Sequence, residues 1–274
     1  MGREINKDTV LCMSLAARPS NHGTRFHNFL YDELGLNYIY KAFTTTDLGA
    51  AIAGIRALGI RGCAISMPYK EECIQYVDAM DDSAAAIQSV NTIVNAEGHL
   101  RAYNTDYLAV AHLLAEHEVP RESTFAVLGS GGMAKAVVAA LRDAGFREGT
   151  VVARNGQTGA ALAEQYGFAW QPELGDSRPQ LIVNATPVGM AGGPGADDLP
   201  VPPEAVDAAK TVFDVVAMPA LTPLIRRAQA QGKKVITGVE VSALQAAEQF
   251  VLYTGVRPTE DQVRRASEHA RRSS

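Results

Sequence analysis

Residues Ser123 to Phe146, STFAVLGSGGMAKAVVAALRDAGF, and then Gly149 to Arg154, GTVVAR, decide the fold. FAVL is a short apolar run of strand length. A glycine turn follows, and MAKAVVAALRD spaces its apolar residues at helical period before Gly145. GTVVAR supplies the next strand, so the stretch opens a βαβ unit. The turn Gly129-Ser130-Gly131-Gly132-Met133-Ala134 fits G-x-G-x-x-G/A in the strand-to-helix setting that gives this pattern its meaning. Gly129 permits the tight turn, Gly131 lets the backbone approach a pyrophosphate, and the helix start offers unpaired N–H groups to the anion. Where NAD-binding versions end the second strand in a carboxylate for the ribose 2′-hydroxyl, this strand ends in Arg154-Asn155. Arg154 presents a planar, permanently charged fork suited to a 2′-phosphate, which favours NADP(H) over NAD.

Toward the C-terminus, PQLIVNAT, TVFDVVA and KKVITG read as further strands. MAGGPGADDLPVPPE, residues 190–204, reads as an irregular loop, either a plain connector or one that moves over the ligand. VSALQAAEQFVLYTG is an amphipathic helix with a surface to cover, and the tail RRASEHARRSS reads as a polar helix end fraying in solvent. Toward the N-terminus, TVLCMSL, NYIYKAFTT and GCAISMP read as strands. FHNFLYDELG and DLGAAIAGIRALG read as helices, the latter ended by Gly59. SVNTIVN and HLRAYNT pair around NAEG, and a helix DYLAVAHLLAEHE leads to Pro120, where the pattern restarts. This alternation implies an α/β protein of two doubly wound halves with mostly parallel sheets, ligands gathering at the carboxyl ends of the strands.

Composition agrees with a globular chain: of 274 residues, 47% are hydrophobic and 20% charged, with 24 Gly and 13 Pro. A net charge of −5 and the absence of a basic stripe argue against a nucleic-acid partner. Cys12, Cys63 and Cys73 are too few and too irregular for a disulfide framework, and no metal constellation is visible. MGREINKDTV has no apolar core of a signal peptide, and no run is long enough to span a membrane; a cytoplasmic protein with reduced thiols is expected. Nothing in the chain separates monomer from homodimer.

Lys70 follows the strand CAISMP, and Asp106 follows AYNT at the junction of the halves. A hydroxyl that loses hydride must also lose a proton, and a lysine with a carboxylate neighbour is a relay suited to it. The ordered set Ser66-Met67-Pro68-Tyr69-Lys70, Val90-Asn91-Thr92, Asn104-Thr105-Asp106, Gly129-x-Gly131-Gly132, Ala153-Arg154-Asn155, Asn184-Ala185-Thr186 and Gln245 resembles shikimate dehydrogenases across nearly the whole chain. The resemblance implies a substrate domain over residues 1–106 joined by 240–274, a Rossmann-type NADP-binding domain over 107–239, and a C-terminal helix returning to the first domain. It also implies reversible hydride transfer between NADP(H) and shikimate or 3-dehydroshikimate, a step toward aromatic amino acids, with a small cyclitol carboxylate as the binding partner. Lys70 and Asp106 are similar to the family's catalytic pair. Ser20, Asn21, Ser66, Asn91, Asp106 and Gln245 match the substrate side, Asn and Gln being able to donate and accept. Gly129 to Ala134, Arg154, Asn155, Asn184, Thr186, Val216 and Gly238 match the cofactor side. An ordinary lysine is protonated at neutral pH, so reduction proceeds directly and alkaline pH favours oxidation.

The chain departs from the family's pattern in the carboxylate-binding segment. A pair of serines before His-Asn is replaced by Arg18-Pro19-Ser20-Asn21-His22-Gly23-Thr24-Arg25-Phe26, with His27-Asn28 kept. Tyr107, Ala64 and Ala217 replace a Gly, an Asn and a Tyr near the implied cleft. These changes suggest a divergent branch acting on shikimate or a related acid such as quinate, with His22 and Arg18 as new carboxylate contacts. Two other readings are an NAD-linked quinate or shikimate dehydrogenase and a non-catalytic NADP-binding sensor.

Overall fold

A computed structural model describes residues 4–271. The chain divides into two compact units, one formed by the residues up to Thr105 together with those from Ala243 onward, the other by Asp106–Ser242.

In the first unit the elements are β1 (Val10–Leu15), α1 (His22–Glu33), β2 (Tyr38–Phe43), α2 (Leu48–Ala57), β3 (Gly62–Ile65), α3 (Tyr69–Glu72), β4 (Ala79–Met80), α4 (Asp82–Ala85), β5 (Thr92–Ala96) and β6 (His99–Tyr103). They build a six-stranded sheet of order β2-β1-β3-β5-β6-β4. β2, β1 and β3 run parallel and β4 pairs parallel with β6, while β5 pairs antiparallel with both β3 and β6, so the mostly parallel sheet expected from the alternation carries one reversed strand. The two-residue turn Glu97-Gly98, with both φ values positive (52° and 89°), closes β5 and β6 into the hairpin read around NAEG. Leu48, Ile52 and Ile55 of α2 pack with Met13, Leu15 and Ile93, while Phe26, Leu30 and Tyr31 of α1 pack with Cys12, Tyr40 and Val94. Alternate strand residues thus feed two cores.

The second unit contains α5 (Thr105–Glu116), β7 (Phe125–Leu128), α6 (Gly132–Asp143), β8 (Gly149–Val152), α7 (Gly156–Tyr166), β9 (Ala169–Gln171), β10 (Leu181–Asn184), α8 (Pro203–Ala208), β11 (Thr211–Asp214), α9 (Pro223–Ala230) and β12 (Lys234–Ile236). Its sheet, of order β12-β11-β10-β7-β8-β9, is parallel throughout. The strand order reverses between β7 and β10, which makes their carboxyl ends the switch point of a doubly wound sheet. A Cβ on Gly149 would lie 1.9 Å from the ring of Phe125, so that glycine lets β8 sit against the aromatic core.

Two helices complete the described chain, α10 (Gly238–Thr254) and α11 (Glu260–Arg271). Phe250 and Tyr253 of α10, with Ala266 and Ala270 of α11, join the α1 core, so the last helices return to the first unit. This corrects the reading of the tail as a fraying end. Ala266, Ser267 and Ala270 are buried, and Arg265 forms a bidentate ion pair with Glu33 of α1 at 2.6 and 2.7 Å. The stripe escapes notice because its buried residues are small and its neighbours charged; residues 272–274 of that tail lie outside the described chain. β4 and β9, of two and three residues, are too short to show a period. The 190–204 stretch is irregular until Pro203 opens α8, and its start is tied down by Ala191 N–H donating to Met218 O at 2.9 Å.

Candidate functional site

In the first unit the loops at the carboxyl ends of β1 and β3 are laced together. Ser66 N–H donates to Leu15 O at 2.9 Å and Ala17 N–H to Met67 O at 3.2 Å. Because β5 runs antiparallel, its first residues lie beside the last of β3, and Ile65 N–H donates to Asn91 O at 2.8 Å. Val90 N–H donates to Lys70 O at 2.8 Å, which anchors α3 to the same spot. The hairpin therefore gathers Ser66, Lys70 and Asn91 at one sheet end. Ser66 is exposed and Lys70 half-buried.

Asn91 is 2% exposed, and its Oδ1 accepts from Thr92 Oγ1 (2.8 Å), Thr105 N–H (2.8 Å) and Thr105 Oγ1 (3.1 Å). Its Nδ2 is buried without a hydrogen-bond partner. A buried donor left unmade costs on the order of 1–3 kcal/mol, and this amide has the capacity to donate to an acceptor brought against it. Ser20 and Asn21 are exposed in the β1–α1 loop, where Ser20 Oγ accepts from His22 N–H at 3.4 Å and Asn21 starts α1 without a side-chain cap. His22, Gly23, Thr24 and Arg25 are thus helical, the altered segment being the first turn of α1. Burial, with Arg271 nearby, lowers the His22 pKa, which leaves the ring neutral at pH 7. Gln245 lies half-buried on α10, in the part that belongs to the first unit.

Asp106 opens the second unit in the first turn of α5, where it is 8% exposed. At the switch point, Gly129 holds φ +108°, and a Cβ there would come within 3.1 Å of Ala185 O. Gly131 and Gly132, where α6 begins, are exposed; no side chain caps that helix and no acid lies in its first turn. With open space where Cβ atoms on Gly131 and Gly132 would stand, these residues fit a phosphate against the helix N-terminus. Ser130 Oγ and Thr158 Oγ1, 2.7 Å apart, join the turn to α7. Arg154 is exposed past β8, and Asn155 caps α7 by accepting from Thr158 N–H at 3.2 Å.

Asn184 is wholly buried. Its Nδ2 donates to Val188 O and Asp214 Oδ1, and its Oδ1 accepts from Thr186 N–H and Thr186 Oγ1, at 2.6–3.1 Å. The side chain is saturated, so it shapes the loop and presents nothing to a ligand. Asp214, which the sequence reading passes over, binds these pieces: it accepts from Asn184, from Val216 N–H at 3.0 Å and from Thr222 Oγ1 at 2.6 Å. Burial outweighs those three donors and raises its pKa to about 6. Val216 is buried, and a Cβ on Gly238 would lie 2.3 Å from its carbonyl, so only glycine lets α10 begin there. Gln249, buried on α10 against Asn91 and Thr92, also escapes the sequence reading. The one available signal for Asp214 was an acid closing an otherwise apolar strand, TVFD.

Among the described residues no cluster of His, Cys, Asp or Glu could hold a metal ion, and no helix is long and apolar enough to cross a membrane.

A family model described as the shikimate dehydrogenase substrate binding domain matches residues 21–93. The chain is 55% identical over 267 residues to a shikimate dehydrogenase-like protein of Haemophilus influenzae, covering 97% of this chain and 98% of the other. It is 35% identical over 260 residues to a shikimate dehydrogenase (NADP(+)) of Moorella thermoacetica, covering 89% and 88%. The solved structure of shikimate 5-dehydrogenase from Thermus thermophilus in complex with NADP(H) and shikimate matches with a TM-score of 0.84 at 33% identity, covering 95% of this chain and 99% of that one.

Proposed function

The chain belongs to the shikimate dehydrogenase family, and from that membership we propose an NADP(H)-dependent oxidoreductase that interconverts the ring alcohol and ketone of shikimate or a close cyclitol acid. The observation that carries the reading is Asn91. Its amide is buried and clamped by three donors, with both N–H groups of its own nitrogen unspent, and Lys70 is tied to the preceding residue. A donor fixed in a dry setting beside a proton carrier suits a polyol ring.

In this reading Lys70 and Asp106 form the proton-handling pair, Lys70 giving its proton to the alkoxide during reduction and taking one back in oxidation. Asn91 and Gln245 hold ring hydroxyls. Ser66, Ser20 and Asn21 line the carboxylate side, where the start of α1 has replaced the family's serine pair. Bound NADPH supplies the hydride. The Gly129 to Ala134 turn holds the pyrophosphate, Arg154 the 2′-phosphate, and Asn155 keeps α7 and thereby the Arg154 backbone in place. Thr186, Val216 and Gly238 form the wall for the nicotinamide, with Asn184 holding that wall in shape.

The test is the initial rate of NADP and of NAD reduction with shikimate and with quinate near pH 9, for wild type and Lys70→Ala. Turnover should prefer NADP, and the variant should lose about 10²- to 10⁴-fold in kcat with NADP affinity intact. Tight NADP binding without turnover of either acid would overturn the substrate assignment and favour the sensor reading.

A further inference from the structure

Gln249 is 4% exposed, and its Nε2 donates to Asn91 O at 3.3 Å and to Thr92 Oγ1 at 3.0 Å. The acceptor at Asn91 is a backbone carbonyl, which cannot donate, so the group facing it must be the amide nitrogen of Gln249. Thr92 Oγ1, fully buried, then takes that N–H and spends its single proton on Asn91 Oδ1 at 2.8 Å. At the far end Thr105 N–H, which can only donate, holds the same Oδ1. The chain of bonds therefore runs one way, Gln249 to Thr92 to Asn91, and both ends are fixed by main-chain groups. Its product is an Asn91 amide whose oxygen is spent and whose nitrogen alone is offered.

The same contacts dock α10 onto the start of β5. Phe250 and Ala246 beside Gln249 are buried in the α1 core, and the two directional polar bonds add a register to that packing. Gln245 lies one helical turn before Gln249, on the same face of α10. Its position relative to Asn91 is thus set by the bond that Gln249 makes to Asn91 itself.

We propose that Gln249 is a positioning residue for the substrate site, locking α10 to β5 so that the amides of Asn91 and Gln245 are held in fixed register and Asn91 acts purely as a donor. This rests on the reading that Asn91 and Gln245 hold the substrate. The ligand atom at Asn91 is accordingly a lone-pair acceptor, a hydroxyl oxygen or a carboxylate.

Steady-state kinetics with shikimate and NADP test the inference on Gln249→Met and Gln249→Leu, which keep most of the volume but cannot donate, and on Asn91→Ala. NADP affinity and thermal melting report the fold. KM for shikimate should rise about tenfold or more in both Gln249 variants, as expected when a buried acceptor loses its donor, while kcat stays within about threefold and NADP affinity is unchanged. Wild-type KM in either Gln249 variant, with KM raised in Asn91→Ala, overturns the positioning role alone. An unchanged KM in Asn91→Ala, or a wild type inert toward shikimate, overturns the substrate reading and the inference with it. Parallel loss of kcat and NADP affinity makes Gln249 a general support of the fold and also overturns the proposal.

Discussion

At the scale of single residues, two buried ionisable groups set opposite pH dependences. Asp214 is pulled between desolvation, which penalises its charge, and three donors that favour it; desolvation wins and its pKa stands at about 6 against an ordinary 3.8. Between those values the folded protein binds a proton that the unfolded chain has lost, so the favourable contribution is full below about pH 4 and lost as pH rises through 6. The difference amounts to about 3 kcal/mol. The melting temperature of wild type minus that of Asp214→Asn should therefore shrink between pH 4.5 and 7, and a constant difference would show an ordinary carboxylate. His27 has the reverse sign. Wholly buried and stacked on Tyr40 at 4.4 Å, it is driven by burial to a pKa of about 3, the Gln249 amide opposing the shift. The native ring stays neutral while the unfolded chain gains a proton below about 6.5, so its contribution is full above that pH and lost as pH falls toward 3. His27→Phe keeps a flat stacking surface. The urea midpoint of this variant should gain on wild type at pH 5 relative to pH 8; equal differences at both would mean that the ring is not forced neutral.

At the scale of elements, α11 and the start of α10 make the sharpest demands. Ala266 is fully buried, and Ala266→Asp would force a carboxylate against α1 with no partner, a loss of about 2–4 kcal/mol in urea unfolding. A loss within experimental error would return the tail to solvent. Gly238→Ala should cost comparably, because the added carbon meets the Val216 backbone and not a side chain that can turn away. The elements also show what can be read from a sequence. The glycine turn at 129–134 was legible because its requirement lies in the backbone and leaves a fixed spacing. So were the long helices and the buried strands. Asp214 and Gln249 were not, because each owes its role to a partner distant in sequence, Asn184 and Asn91 respectively. The pairing of β5 with β3 was hidden by the same limit: NAEG announces the β5–β6 hairpin, but nothing local says which further neighbour β5 will choose.

At the scale of the whole molecule, the proposed substrate amides Asn91 and Gln245 lie in one unit and the cofactor turn in the other. Hydrogen exchange should resolve them. NADP alone should slow exchange at residues 129–134 and 184–188, and shikimate alone at 90–92 and in α10 near Gln245; uniform protection by either ligand would defeat that division. The order of the chain carries one more consequence, for synthesis on the ribosome. The second unit is continuous and emerges ready to fold, whereas the core that includes Phe26, Leu30 and Tyr31 is completed by Phe250, Tyr253, Ala266 and Ala270. The early-made segment must wait, for on the order of ten seconds at usual elongation rates, until its closing helices are translated. During that wait α1 and the strands beside it hold an incompletely covered apolar face, which predicts that nascent chains stalled after Ser242 bind chaperone through residues 10–65 and release it once α11 has left the exit tunnel.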